Sequence, residues 1–135
     1  MTTAPRRFEL TLLPERFAIS QLAAHAPIPE WATRGVFFSV TRTSDELSVV
    51  CEQSRVPAGA RSQPGWSVLK IHGPFALTEV GVLSSLASLL AEAKLSLFTI
   101  STFDTDYLLV ASETLSAAVS ALERAGHKIH RSQME

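Results

Sequence analysis

Leu97-Phe98-Thr99-Ile100-Ser101-Thr102-Phe103-Asp104-Thr105-Asp106-Tyr107-Leu108-Leu109-Val110 is the stretch that decides the fold. From Leu95 to Ser101 apolar and polar residues alternate, the pattern of a half-buried strand. Asp104-Thr105-Asp106 is a turn signal, since Asp side chains bond nearby backbone. Residues 107–111 then read as a second strand. Working outward, residues 79–93 read as a helix with Leu83, Leu86, Ala87 and Leu90 on one stripe. Thr78 is the expected cap, and the strand before it covers residues 66–72, ended by Gly73-Pro74. Downstream, Ser112 or Thr114 caps a second helix with the stripe Leu115, Ala118, Val119 and Leu122. Gly126 is placed to stop it, and residues 127–130 form a last short strand. The order is strand-helix-strand-strand-helix-strand.

That order is the ferredoxin-like plan and makes the chain an α+β protein. The first half reads as a less regular version. Residues 8–13 form a strand, and residues 17–24 a strand or a short helix. Pro27 and Pro29 interrupt the next segment. Residues 35–43 and 47–52 are strands around the turn Ser44-Asp45-Glu46, matching residues 97–110 of the second half. Residues 56–65, rich in Pro, Gly and small polar residues, read as a linker. The expected division is a degenerate unit at 1–60 and a full one at 61–135.

Composition excludes several classes of function. The chain has 135 residues, 46% of them hydrophobic, and a net charge of −1. That supports a core without staples. The basic residues are scattered and form no stripe for nucleic acid. No apolar run approaches the roughly 18 residues of a membrane helix, and the N-terminus lacks the apolar region of a signal peptide. The single cysteine, Cys51, cannot form an internal disulfide, so a reducing cytoplasm is the expected compartment. Cys51 reads as a small buried hydrophobe rather than a nucleophile. His25, His72, His127 and His130 lack metal-ligand spacing, so no metal and no cofactor is expected. No nucleotide-binding or nucleophile-elbow motif occurs, and no nucleophile–base pair stands out, so catalysis is not expected.

The run Phe75-Ala76-Leu77-Thr78-Glu79-Val80-Gly81-Val82-Leu83, then Leu90-Ala91-Glu92-Ala93, then Ile100 to Val110, resembles an ACT domain. It is similar to the subfamily of small bacterial proteins and the CASTOR arginine sensors of animals, and to the regulatory ACT repeats of aspartokinases. Asp45-Glu46-Leu47-Ser48-Val49-Val50-Cys51 resembles the paired strand of a preceding ACT unit. The resemblance implies tandem ACT units, the first one degenerate. It also implies a regulatory module that binds an amino acid at an interface between units, without catalysis. The alternative is a structural module that dimerises and binds no metabolite. A homodimer is the expected assembly, with an unidentified protein as the regulated partner.

The same resemblance implies the ligand-contacting positions: Glu79, Gly81 and Val82 at the helix start, Thr102, Phe103, Asp104 and Asp106 in the strand-turn, and Ser48 and Val49 on the partner strand. A helix N-terminus offers free N–H groups to a carboxylate, and Asp side chains accept from an ammonium group. Each has a plainer reading: Gly81 for close packing, Asp104 and Asp106 as turn formers, Ser48 as a solvent-side strand residue.

Overall fold

The computed structural model describes residues 7–73 and 81–131. The chain divides into two compact units, Glu15–Trp66 on one hand and Met1–Pro14 with Ser67–Glu135 on the other. The first strand therefore packs with the second half, whereas the sequence pattern places it with the first. The division by packing falls inside a strand, between Trp66 and Ser67.

The Glu15–Trp66 unit is an antiparallel ladder of β2 (Phe17–Leu22), β3 (Ser39–Arg42), β4 (Leu47–Glu52) and the first part of β5 (Arg61–Ile71), in the order β3-β4-β2-β5. Residues 17–24 thus resolve as strand, and the strand expected over 35–43 shortens to β3. Ala32, Val49 and Cys51 form the core here, with Leu22, Trp31, Val40 and Val56 packed against them. Burial, then the neighbouring Glu52 charge, pushes the Cys51 thiol pKa up, which suits a buried hydrophobe. Glu52 is itself buried and accepts from Arg55 Nε at 3.1 Å and from the Val36 N–H at 3.3 Å. No α-helix occurs among its described residues; the 3-10 helices Glu30–Thr33 and Gln53–Arg55 stand instead.

β5 begins within the stretch expected to be a linker. The misreading rests on Pro64 and Gly65, which break strands in general. Here they form a bulge. Ile19 pairs Gln63 but Phe17 pairs Trp66, so β5 carries one extra residue. Gly65 takes a positive φ of 85°, and its N–H donates to Gln53 Oε1 at 2.8 Å.

The other unit holds β1 (Glu9–Leu12), the end of β5, α1 (Val82–Glu92), β6 (Leu97–Ser101), β7 (Asp106–Ala111), α2 (Leu115–Arg124) and β8 (Lys128–Arg131). Its strand order is β6-β7-β5-β1-β8. From β5 onward this is the expected βαββαβ path, with β1 added antiparallel to β5 and parallel to β8. Leu10, Leu69, Ile71, Leu86, Leu90, Leu108, Ala118 and Leu122 share one core, so both helices cover one sheet face. Residues 74–80, including the expected cap Thr78, lie outside the described residues. The expected caps of α2 are used otherwise. Thr114 Oγ1 donates to the Ala111 carbonyl, and Ser112 Oγ meets Ser67 Oγ at 2.8 Å. No helix among the described residues is long and apolar enough to cross a membrane.

Both helices end in the same way. After α2 the N–H of His127 bonds the Leu122 carbonyl and that of Gly126 bonds the Glu123 carbonyl, with Gly126 at φ 98°. After α1 the N–H of Leu95 reaches Leu90 and that of Lys94 reaches Ala91, but Lys94 holds the left-handed position at φ 62°. A side chain there crowds its own backbone. Lys94→Gly is expected to raise stability by about 1 kcal/mol, read from urea denaturation. An unchanged midpoint would show that the position is unstrained.

His127 is buried against Phe8, and its Nδ1 accepts the Phe8 N–H at 3.0 Å. Burial, then the Arg7 charge, lowers its pKa from 6.5. A lowered folded pKa means that the unfolded chain takes the proton first as pH falls. The stability is complete above 6.5 and is lost as pH falls toward the folded value. The melting temperature is expected to drop as pH falls below 6.5, and His127→Gln to flatten part of that drop. Identical slopes would discard the assignment.

Candidate functional site

Three places gather the polar chemistry. The first is the end of the sheet where β6 turns into β7. Ser101 and Asp106 face each other in the ladder. The Thr102 N–H and Oγ1 both donate to the Thr105 carbonyl, at 2.8 and 3.1 Å. Thr105, buried, donates its hydroxyl to the Ile71 carbonyl at the end of β5. Asp106 Oδ1 accepts from Ser101 Oγ at 2.5 Å, a bond within the turn itself. Phe103 stands 78% exposed, and Asp104 is exposed beside it.

In chain order β5 is followed, after residues 72–81, by α1. The Thr105–Ile71 bond puts the beginning of β7 at the end of β5. α1 must carry the chain from there back to the far end, where β6 begins, and its 11 residues span roughly 16 Å. Gly81 is its N-cap at φ 88°, and a Cβ there would meet nothing within 4 Å among the described residues. Its glycine therefore serves the left-handed backbone rather than close packing. Val82 is buried in the core, so only its backbone faces outward chemistry. Glu79 lies outside the described residues.

The second place is a cleft of about 470 Å³ on the Glu15–Trp66 unit. Ser48 lines it, and Val49 does not: its side chain is in the core. Gln21 pairs Ser48 on one side and Arg61 on the other, which puts those three side chains on one sheet face. Glu46, Ser62 and Gln63 add to the polar lining, and Gln21 Nε2 donates to Glu46 Oε1 at 3.0 Å. Ser20 also lines the cleft; it is 1% exposed, and its hydroxyl has no partner among the described residues. Sequence reading missed Gln21, Glu46, Arg61 and Gln63. Arg61 reads as linker, and only the start of β5 at that residue brings it beside Gln21.

The third place is the helix-free face of the sheet around β1. His130 Nε2 lies 2.6 Å from Glu9 Oε1, and His72 Nε2 lies 2.5 Å from Thr11 Oγ1. The two imidazole rings stack at 5.3 Å. The His130 hydrogen bond, aided by the charges of His130, Lys128 and His72, holds the Glu9 carboxyl below the usual carboxylate range. Sequence spacing could not show this group, because its members come from three separate strands or strand ends.

A five-stranded sheet on a βαββαβ path, covered by two helices on one face, defines a ferredoxin-like α+β unit, and a smaller antiparallel ladder makes up the other unit of the chain. Residues 61–124 match the family model described as ACT domain, and residues 15–59 match one described as an N-terminal domain. Residues 61–124 belong to the ACT-domain family. A crystal structure of an Agobacterium tumefaciens protein is 41% identical, with a TM-score of 0.91 over 97% of this chain and 98% of that one. The cytosolic arginine sensor for mTORC1 subunit 1 of Bos taurus is 28% identical over 115 residues, covering 75% of this chain. This chain spans only 35% of that relative's length. The regulatory subunit of aspartate kinase from Thermus thermophilus has a TM-score of 0.55 at 12% identity, over 83% of this chain and 93% of that one, a likeness of fold alone.

The Thr105 hydroxyl bond is the tie between the turn and β5. Thr105→Val keeps the shape and leaves a buried carbonyl without its donor. It is expected to cost about 1–3 kcal/mol in urea denaturation. A loss near zero would remove this bond as the tie.

Proposed function

We propose that the chain is a non-catalytic regulatory protein that binds a small amino acid. The observation that carries the reading is the presence of opposite charges in one cleft: Arg61 and Glu46 line it with Gln21, Ser48 and Gln63. An α-amino acid has a carboxylate and an ammonium group a few bonds apart. A guanidinium holds the carboxylate by paired hydrogen bonds, and a carboxylate accepts from the ammonium. The cleft volume lies within the usual range for small-molecule sites, about 300–1,000 Å³. The family membership and the relative named as an arginine sensor support the same ligand class.

Within this proposal Ser48 contributes its hydroxyl and Val49 its backbone. On the ACT unit the proposal extends to Glu79, Gly81, Val82, Thr102, Phe103, Asp104 and Asp106, with Asp104 as the exposed carboxylate. The chain works in the cytoplasm as a homodimer whose ligand changes its association with a regulated protein. A ligand moves that equilibrium only by its differential affinity for the two states. A second reading is a module that dimerises and takes no metabolite. Val36 and Phe38, 79% and 42% exposed, favour it, because exposed apolar side chains suit a protein surface.

A thermal-shift screen against the proteinogenic amino acids separates the two. A ligand at 100 times its dissociation constant is expected to stabilise by about 2.7 kcal/mol. Arg61→Gln is expected to abolish that shift, and Asp104→Ala and Asp106→Ala decide whether the turn belongs to the site. Flat melting curves across all amino acids would sink the sensor and leave the dimerising module.

A further inference from the structure

We propose that Glu9, His72 and His130 form a binding site for one divalent transition-metal ion of the zinc class. Each offers a ligand atom, and these atoms lie within 4.8 Å of one another. Backbone pairing holds the three in place. Glu9 and His130 sit on adjacent parallel strands, β1 and β8, in which Glu9 pairs Lys128 and Thr11 pairs His130. The His72 N–H donates to the Glu9 carbonyl at 2.8 Å, extending the β1–β5 ladder by one residue. Ligands on neighbouring strands keep their spacing better than ligands on loops.

The donor set fits the ion class. Two imidazoles and one carboxylate are a familiar zinc set, with three protein ligands and a fourth position left for water or another donor. Calcium and magnesium take oxygen ligands, whereas imidazole suits zinc, nickel and copper. Lys128, beside Glu9 in the register, opposes any cation. That repulsion weighs most against ions held by charge alone and least against ions bonded to nitrogen.

The present contacts leave a short path to ligation. Ligand atoms at about 2.0–2.1 Å around a tetrahedral ion stand roughly 3.3 Å apart. His130 Nε2 and Glu9 Oε1 are at 2.6 Å, so they part by less than 1 Å to admit the ion. His72 gives up its contact with the Thr11 hydroxyl and turns toward the same point. Glu9 and His72 are exposed and His130 is half-buried, so these rotations leave the core untouched. The site stands on residues separate from those of the amino-acid cleft, so either reading survives failure of the other.

The test is titration of the full-length chain, freed of any affinity tag and stripped with chelator, with Zn²⁺ in a calorimeter and with Co²⁺ in the visible spectrum. One Zn²⁺ per chain is expected, with intense Co²⁺ bands of a tetrahedral site. Glu9→Gln, His72→Ala and His130→Ala are each expected to weaken Zn²⁺ binding beyond the roughly 10–100-fold that loss of an outer partner causes. His25→Ala is expected to change nothing. Because a variant can lose its fold, the ring resonances of the wild-type histidines provide a second reading: Zn²⁺ should shift His72 and His130 and leave His25 in place. Absence of saturable Zn²⁺ uptake overturns the proposal, as does a shift confined to other histidines or wild-type affinity in the three variants.

Discussion

β1 lies between β5 and β8, and most of the ACT unit depends on that insertion. In a plain βαββαβ unit the first and last strands are neighbours. Here Leu10 of β1 pairs Ile71 on one side and Ile129 on the other, and its side chain is fully buried. Without β1, β5 and β8 would each present an unpaired row of backbone groups, the usual template for unwanted association. The core would also lose Phe8, Leu10 and Leu12. β1 and β5 are far apart in sequence, so their pairing is a long-range event that loop-closure entropy opposes until the core rewards it.

The same insertion organises the polar face. Strand alternation sends Leu10 and Leu12 inward and Glu9 and Thr11 outward. Glu9 and Thr11 then meet His130 and His72, side chains brought by β8 and by the residue after β5. Thus one strand supplies apolar side chains to the helices, and a carboxylate and a hydroxyl to one imidazole each. The N-terminal strand contributes chemistry as well as closure.

β5 has a comparable double use along its own length. Its first residues pair β2 in the smaller unit, and its last residues pair β1 in the ACT unit. The bulge at Pro64 and Gly65 adds the extra residue that lets Gln63 stay in step with Ile19 while Trp66 pairs Phe17. Arg61 reaches the Gln21–Ser48 row only because the strand starts before that bulge. That Arg61 and Glu46 line the same cleft is a consequence of register rather than of any local motif.

Local patterns settled the ACT half. Alternation over residues 95–111, the helical stripes of Leu86, Leu90, Ala118 and Leu122, and Gly126 as a stop all correspond to elements in the structure. These features depend on near neighbours in the chain, which periodicity and turn chemistry report directly. Of the positions the family pattern names, Ser48 lines the cleft, whereas Thr102 and Asp106 bond within their own turn. Only the tertiary structure decided that β1 joins the second unit, that Pro64-Gly65 is a bulge, and that Gln21, Arg61 and Glu46 share a cleft. It alone brought residues 9, 72 and 130 together. The physical reason is the same in each case: strand register sets which side chains meet, and register is fixed by long-range pairing and core burial rather than by adjacent residues.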